Sequence, residues 1–160
     1  MNEIHSIPPL YAKESEILIL GSFPSVKSRE SEFFYAHPQN RFWKVLSGVF
    51  NSPLPQNTDE KKELVLKNKL ALFDVIKQCD IKGSGDSTIK NVIPNDLSPI
   101  LNNSDIKRII LNGKTAEKYY KKYISSDIGL EFFTLPSTSP ANASYSLEQL
   151  IEKWKIISEI

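Results

Sequence analysis

Four short apolar runs, separated by helical patterns, are the feature that most restricts how this chain can fold. The runs occupy residues 17–20, 70–75, 106–111 and 130–135. Each is short and bounded by polar or turn residues, as expected for β-strands. Their near-continuous hydrophobicity indicates a sheet that is covered on both faces.

Helical patterns lie between and after these runs, within residues 41–50, 59–69, 115–124 and 147–160. Ser146 and Gln149 form a capping-box pattern before the last of them. Alternation of strands and helices predicts a three-layer α/β/α sandwich with a short, mainly parallel, four-stranded central sheet. Ligands of such sheets bind beyond the carboxyl ends of the strands, so the loops there are the candidate site.

The composition fits one domain spanning residues 1–160, with 40% hydrophobic and 24% charged residues. The net charge of +1 excludes a strongly basic protein that coats nucleic acid, but it leaves room for a local basic face. The polar start and the lack of an apolar run near the ~20 residues of a membrane span make the cytoplasm the expected location.

The few potential metal ligands argue against a metal centre. Cys79 is the single cysteine, which fits a reducing compartment and disfavours an iron–sulfur or cysteine zinc site. His5 and His37 are the two histidines and lie far apart in sequence, so we expect no histidine metal site.

The segment 21–43, GSFPSVKSRESEFFYAHPQNRFW, carries the strongest functional pattern. A strand that ends at Gly-Ser and opens into an aromatic, amide-bearing loop suits a flat, polar ligand such as a nucleobase. The structural alternatives are a helix N-cap for Asn40 and core packing for Tyr35, Phe42 and Trp43.

Two further loops lie where strands are predicted to end. Residues 135–144, LPSTSPANAS, offer small hydroxyl groups and free amides that can hold phosphate oxygens, although composition alone favours an ordinary loop. Asn112-Gly113-Lys114-Thr115 is not a Walker A loop, because Arg108 stands where that motif needs glycine. Lys114 is either a DNA phosphate contact or a solvated surface residue.

Four aspartates are candidate general bases, namely Asp74, Asp80, Asp86 and Asp96. Their spacing places no two of them on one face. Asp86 lies in a Gly-Ser-rich loop and is the most plausible of them, against the simpler interpretation of a turn residue.

The stretch LILGSFPSVKSRESEFFYAHPQNRFWKVL resembles the first motif of the uracil-DNA glycosylase superfamily. Mismatch-specific uracil and thymine-DNA glycosylases have a Gly-x-Asn-Pro-Gly turn and then an Ala-His-Pro-x-Asn-x-Phe-Trp run. Here the catalytic Asn of that turn falls on Phe23 and its last Gly on Ser25. This departure is similar to the hypoxanthine-DNA glycosylase branch, in which the important Asn follows His-Pro-x and corresponds to Asn40.

Downstream patterns extend the resemblance over about residues 5 to 158. They are GSGDSTIK at 83–90, PND at 94–96 and ILNG at 110–113. The loop after Leu135 is similar to the second motif of the superfamily. That motif enters the minor groove and pinches the DNA backbone. Leu135 departs from the family, since relatives often have a polar residue there.

The resemblance implies a monofunctional DNA glycosylase that hydrolyses the N-glycosidic bond of a deaminated base, with hypoxanthine favoured, in base excision repair. It implies damaged duplex DNA with a flipped nucleotide as the partner and no metal or organic cofactor. A monomer is the default expectation for the oligomeric state. Asn40 would be catalytic, and the base-binding residues would be Gly21, Ser22, Phe23, Tyr35 and His37. The implied DNA-binding residues are Lys114, Pro136, Ser137, Ser139, Asn142 and Ser144.

Three alternatives remain open at the level of sequence. One is a uracil- or mismatched-thymine-DNA glycosylase of the same fold. Another is a non-catalytic DNA-binding module, since the Asn of the turn is missing. The last is a flavodoxin-like small-molecule domain.

Overall fold

The computed structural model describes residues 2–160, which contain seven β-strands and seven α-helices. The strands are β1 (Asn2–Ile4), β2 (Ile17–Gly21), β3 (Leu70–Asp74), β4 (Ile76–Asp80), β5 (Lys90–Pro94), β6 (Arg108–Asn112) and β7 (Glu131–Leu135). The helices are α1 (Val26–Ser31), α2 (Phe42–Phe50), α3 (Thr58–Lys67), α4 (Ser98–Asn102), α5 (Lys114–Tyr123), α6 (Ser125–Ile128) and α7 (Leu147–Trp154). None of these helices is both long enough and apolar enough to span a bilayer.

The central sheet has four parallel strands in the order β3-β2-β6-β7. Each of the four apolar runs forms one of these strands, with ends that differ from the predicted ends by at most two residues. Both β2 and β3 are buried at all five positions, so both faces of the sheet are covered. The predicted α/β fold with its four-stranded central sheet is confirmed.

A second sheet, antiparallel and ordered β1-β4-β5, was not predicted. Its strands are short, and β1 and β5 mix polar residues with single exposed isoleucines, Ile4 and Ile93, so neither strand forms an apolar run. Val75 alone separates β3 from β4, so the chain passes from one sheet directly into the other. This arrangement brings the residues that follow β1 against the end of β3.

The helix ends agree with the sequence patterns in part. The capping box of Ser146 and Gln149 is present at the start of α7, as predicted. Asn40 is not the N-cap of α2, because that position is occupied by Arg41 and the helix begins at Phe42. The last predicted helix ends early, at Trp154, and continues as a 3₁₀ turn over Lys155–Ser158.

Candidate active site

A cavity of about 270 Å³ lies at the carboxyl end of the parallel sheet. Gly21, Asp74 and Asn112, the last residues of β2, β3 and β6, contribute to its lining. All the base-binding candidates and the catalytic candidate also line it: Gly21, Ser22, Phe23, Tyr35, His37 and Asn40. The position agrees with the rule for open α/β sheets.

The six DNA-binding candidates are only partly brought together. Ser137 and Ser139 line the cavity, whereas Ser144 and Lys114 are exposed outside its lining. Two others are engaged within the protein: the Trp154 Nε1–H donates to the Pro136 carbonyl at 2.9 Å, and Asn142 Nδ2 donates to the Ser137 carbonyl at 2.9 Å.

Asn40 is fixed by two hydrogen bonds to its side-chain oxygen. The backbone N–H of Phe42 and the hydroxyl of Thr138 both donate to Asn40 Oδ1, each at 2.9 Å. Because a backbone N–H can only donate, the oxygen of the amide must face Phe42. The Asn40 Nδ2 group, for which residues 2–160 supply no acceptor within hydrogen-bond distance, is therefore left for the cavity.

Asn112 fixes the direction of this hydrogen-bond chain from its other end. The Thr138 backbone N–H donates to Asn112 Oδ1 at 3.1 Å, so the Asn112 Nδ2 group donates to the Thr138 hydroxyl, also at 3.1 Å. That hydroxyl must then pass its own proton on to Asn40. Thr138 is fully buried. Two backbone N–H groups therefore set the orientation of both amides, and the arrangement costs no reorganisation when a ligand enters.

Sequence analysis missed Thr138 and Arg41, which hold the two halves of the site together. The Arg41 backbone N–H donates to the Thr138 carbonyl at 3.1 Å. Its guanidinium donates to the carbonyls of Ser139 at 3.2 Å, Asn142 at 2.7 Å and also Tyr145. The guanidinium group is always charged and carries several donors, so one side chain can bond several carbonyl groups of the loop at once. Only the position of Arg41 directly after Asn40 could have indicated this role.

Tyr35 combines an unusual backbone with a buried hydroxyl. Its φ is +51°, a left-handed value that an aromatic residue rarely adopts. The ring stacks on Phe42 with centroids 4.0 Å apart, and the Trp43 Nε1–H donates to the Tyr35 carbonyl at 3.2 Å. The buried hydroxyl has no hydrogen-bond partner within residues 2–160. Burial, followed by the nearby Asp74, raises its pKa far above the usual value. The Asn112 side chain lies close enough to the hydroxyl to oppose this shift but does not reach hydrogen-bond geometry.

The packing predictions for this segment are confirmed for two residues. Phe42 and Trp43 are buried in the core, at 0% and 6% exposure. Tyr35 is half-buried and serves both purposes, since one ring face packs on Phe42 while the residue lines the cavity. Strained backbone of this kind persists where the surroundings enforce it and is common at functional sites.

Asp74 is the carboxylate that sequence analysis undervalued. It ends β3, is 4% exposed and lines the cavity. His5 Nε2 lies 2.8 Å from Asp74 Oδ2, and both side chains are almost fully buried. The two residues are 69 positions apart, so no local pattern could have paired them. Asp86 lines the same cavity, a proximity that the spacing in the sequence does not indicate.

Asp86 lies on the other wall, in a loop that docks on the start of the 21–43 segment. The Ser22 hydroxyl donates to Asp86 Oδ1 at 3.1 Å, and Arg29 Nη2 donates to the Gly83 carbonyl at 2.6 Å. Asp86 is exposed as a residue, yet the atoms packed around its carboxyl group desolvate it and raise its pKa, against the effect of the Ser22 bond.

The two remaining aspartates lie away from the cavity lining. Hydrogen bonds from the Asn91 side chain to Asp80, and from the Ser98 backbone to Asp96, lower the pKa of each carboxyl group. Residues 2–160 contain no cluster of three or more His, Cys, Asp or Glu side chains that could hold a metal ion.

A family model described as the uracil DNA glycosylase superfamily matches residues 8–160. The chain belongs to the uracil DNA glycosylase superfamily. Two curated relatives are each named hypoxanthine DNA glycosylase. The one from Methanosarcina acetivorans is 34% identical over 152 residues, or 94% of either chain. The one from Methanosarcina barkeri is 34% identical over 137 residues, or 84% of this chain and 85% of the relative.

A solved structure supports the superfamily fold. It is a solution NMR structure of a Methanosarcina acetivorans protein presented as a candidate uracil DNA glycosylase, with a TM-score of 0.84 and 28% sequence identity. The alignment covers 99% of this chain and 98% of that one. In this superfamily member, Phe23 stands where the resemblance places the Asn of the turn. It is 8% exposed, and its ring centroid lies 6.1 Å from that of His5.

Proposed function

We propose that this protein is a monofunctional DNA glycosylase that hydrolyses the N-glycosidic bond of deoxyinosine, with Asn40 as its central catalytic residue. The observation that carries the proposal is the fixed amide of Asn40. Its oxygen accepts two internal hydrogen bonds, so its Nδ2 donor faces the cavity at the end of the sheet. The family and the two relatives named hypoxanthine DNA glycosylase supply the reaction class.

Base release requires the nucleotide to leave the helix, because its glycosidic bond is shielded within the stack. Flipping costs a few kcal/mol, and the cost is lowest for a damaged or mispaired base. Small-molecule pockets have volumes of about 300–1,000 Å³. The cavity of about 270 Å³ lies just below that range and is sized for a single base.

The reaction develops positive charge on the sugar and negative charge on the departing base. A fixed N–H dipole aimed at that negative charge stabilises the transition state without reorganisation. Asn40 Nδ2 supplies such a dipole, and an amide does so without titrating. Water then adds to the C1′ atom of the sugar cation, and the proton it releases neutralises the departing base anion, so a C–O bond replaces the C–N bond.

The hydroxyl of Tyr35 gives a prediction that separates stability from function. An unpaired buried hydroxyl costs folding free energy, so we expect Tyr35→Phe to raise the free energy of unfolding by about 1 kcal/mol. Base release should fall by roughly three- to tenfold, because a base in the cavity loses one neutral hydrogen bond. Urea unfolding and single-turnover excision measure the two effects.

Tyr120→Phe is the matched control for that substitution. Tyr120 carries the other buried hydroxyl without a partner in residues 2–160, and it lies outside the cavity lining. Its removal should stabilise the protein to a similar extent and leave excision unchanged. Equal excision rates for the two variants would exclude a role of the Tyr35 hydroxyl in the site.

A panel of duplexes tests the proposed function directly. Each duplex carries hypoxanthine, uracil, xanthine or mismatched thymine at one position, and free base and abasic sites are quantified under single-turnover conditions. We expect hypoxanthine to be released fastest. Release of uracil without hypoxanthine would assign a sister activity, and DNA binding without release of any base would assign a binding module.

A further inference from the structure

We propose that Asp74, held in place by His5, accepts the ring N–H of the flipped base and so selects deaminated bases over their parent bases. The inference rests on the proposed glycosylase function and adds the residue that determines its substrate class. Asp74 would touch the substrate, whereas His5 would act as a positioning residue.

Of the two carboxylate oxygens of Asp74, one contacts His5 and the other has no hydrogen-bond partner within residues 2–160. Its Oδ2 atom lies 2.8 Å from His5 Nε2, with side-chain exposures of 6% for Asp74 and 2% for His5. The His5 ring is itself held edge-on against Phe73, with ring centroids 5.0 Å apart. The rotamer of Asp74 is therefore set by a buried partner.

The second oxygen, Oδ1, faces the floor of the cavity. It packs against the α-carbon of Gly21, where a Cβ atom would lie only 2.5 Å away. No residue within 2–160 donates a hydrogen bond to this oxygen, and Asp74 lines the cavity. This oxygen is not sealed off from the cavity, so a ligand can reach it. A largely desolvated carboxylate oxygen without a protein donor is stabilised by a donor that a ligand supplies.

An unpartnered hydroxyl lies beside this oxygen. The Tyr35 hydroxyl would be 3.2 Å from the same Gly21 Cβ position and has no partner within residues 2–160. The acceptor Oδ1 and the donor hydroxyl therefore lie next to the same point, the Cβ position of Gly21, and neither has a hydrogen-bond partner for this role within residues 2–160. The edge of a lactam, with its N–H next to a carbonyl group, has the complementary pattern.

Deamination of adenine or cytosine exchanges the hydrogen-bond donor and acceptor on this edge of the base. Adenine and cytosine present a ring nitrogen that accepts and an amino group that donates, whereas hypoxanthine and uracil present a ring N–H and a carbonyl. A carboxylate accepts only, so it bonds the N–H and repels the lone pair of the parent base. Guanine and thymine also carry a ring N–H, so Asp74 separates hypoxanthine from adenine and uracil from cytosine in particular.

The test compares two substrates, deoxyinosine and N1-methyl-deoxyinosine, in otherwise identical duplexes. Methylation removes the N–H and leaves the glycosidic bond in place. A good base-edge contact contributes about 1–3 kcal/mol, or roughly 5- to 150-fold in rate. We expect wild-type protein to release hypoxanthine faster than N1-methylhypoxanthine by a factor in this range. Asp74→Asn should slow deoxyinosine excision and bring that ratio close to one.

Two further variants serve as controls, one for the loss of a negative charge in general and one for Asp86, the other aspartate that lines the cavity. Asp59→Asn removes an exposed carboxylate of α3, far from the cavity lining, and should keep the wild-type ratio. The inference is overturned if Asp86→Asn, rather than Asp74→Asn, brings the ratio to one. Circular dichroism and urea unfolding confirm that each variant is folded at the assay temperature.

If Asp74→Asn does not fold, the comparison of the two substrates with the wild-type protein is sufficient to test the inference. Equal rates of release of hypoxanthine and its N1-methyl derivative by the wild-type protein would exclude a hydrogen bond from the ring N–H to Asp74. That result would leave the glycosylase function intact. Failure of the wild type to release any base from the four-base panel would instead overturn the proposed function itself.

Discussion

Asn40→Ala is expected to slow base release by about 100- to 1,000-fold, the range found when one preorganised donor to a developing negative charge is removed. Affinity for the damaged duplex should change little, because the lost interaction matters most in the transition state. Single-turnover excision of deoxyinosine measures the rate, and a binding titration with the same duplex measures the affinity. A rate within a few-fold of wild type would exclude the catalytic role.

Asn40→Asp separates catalysis from structure at the same position. The aspartate retains an oxygen for the Phe42 N–H and the Thr138 hydroxyl, so the start of α2 stays supported. It loses the Nδ2 donor and places an acceptor in the cavity. We expect Asn40→Asp to be nearly as slow as Asn40→Ala but more stable by about 1 kcal/mol, as for other helix-start side chains. Retained activity in Asn40→Asp would contradict a donor role.

Gly21→Ala should have the second large effect. The new Cβ atom would lie 2.5 Å from Asp74 Oδ1, a distance that forces the carboxylate to move. His5 holds the other oxygen, so the carboxylate cannot simply rotate away. We expect base release to fall by about 100-fold, since a shift of about 1 Å in the position of the base relative to Asn40 has an effect of this size. The free energy of unfolding should fall by about 1–3 kcal/mol from overpacking.

Gly48→Ala provides the matched control for this clash. A Cβ atom there would lie 2.5 Å from Ile151 Cδ1, in the contact between α2 and α7. The variant should lose stability without losing excision activity at a temperature where it is folded. If both glycine variants lose activity in proportion to their stability, the effect at Gly21 is one of folding alone.

The strands of the central sheet could be predicted because each buries a continuous apolar run. The β1-β4-β5 sheet could not, since its strands have exposed faces and its pairing depends on residues far apart, such as Glu3 opposite Cys79. A half-exposed strand of three to five residues carries too few apolar positions to reveal its period. Its existence depends on the partner strand, which only the folded chain supplies.

The cavity lining was predicted more completely than the DNA-binding residues. Gly21 to Phe23, Tyr35, His37 and Asn40 come from one contiguous segment after one strand, so chain connectivity keeps them together. Asn142 instead uses its side chain to hold its own loop. A polar residue in a loop has the same appearance in sequence whether it bonds a ligand or the backbone beside it.

The sequence by itself determined the parallel sheet, the four longer helices α2, α3, α5 and α7, and the amide-bearing segment that follows the first strand of that sheet, because these depend on local hydrophobic pattern and turn chemistry. The tertiary structure decided which atoms face the cavity. Thr138 orients Asn40 from 98 residues away, and His5 orients Asp74 from 69 residues away. The direction in which an amide or a carboxylate presents its atoms depends on its hydrogen-bond partners, and those partners meet only when the strands align.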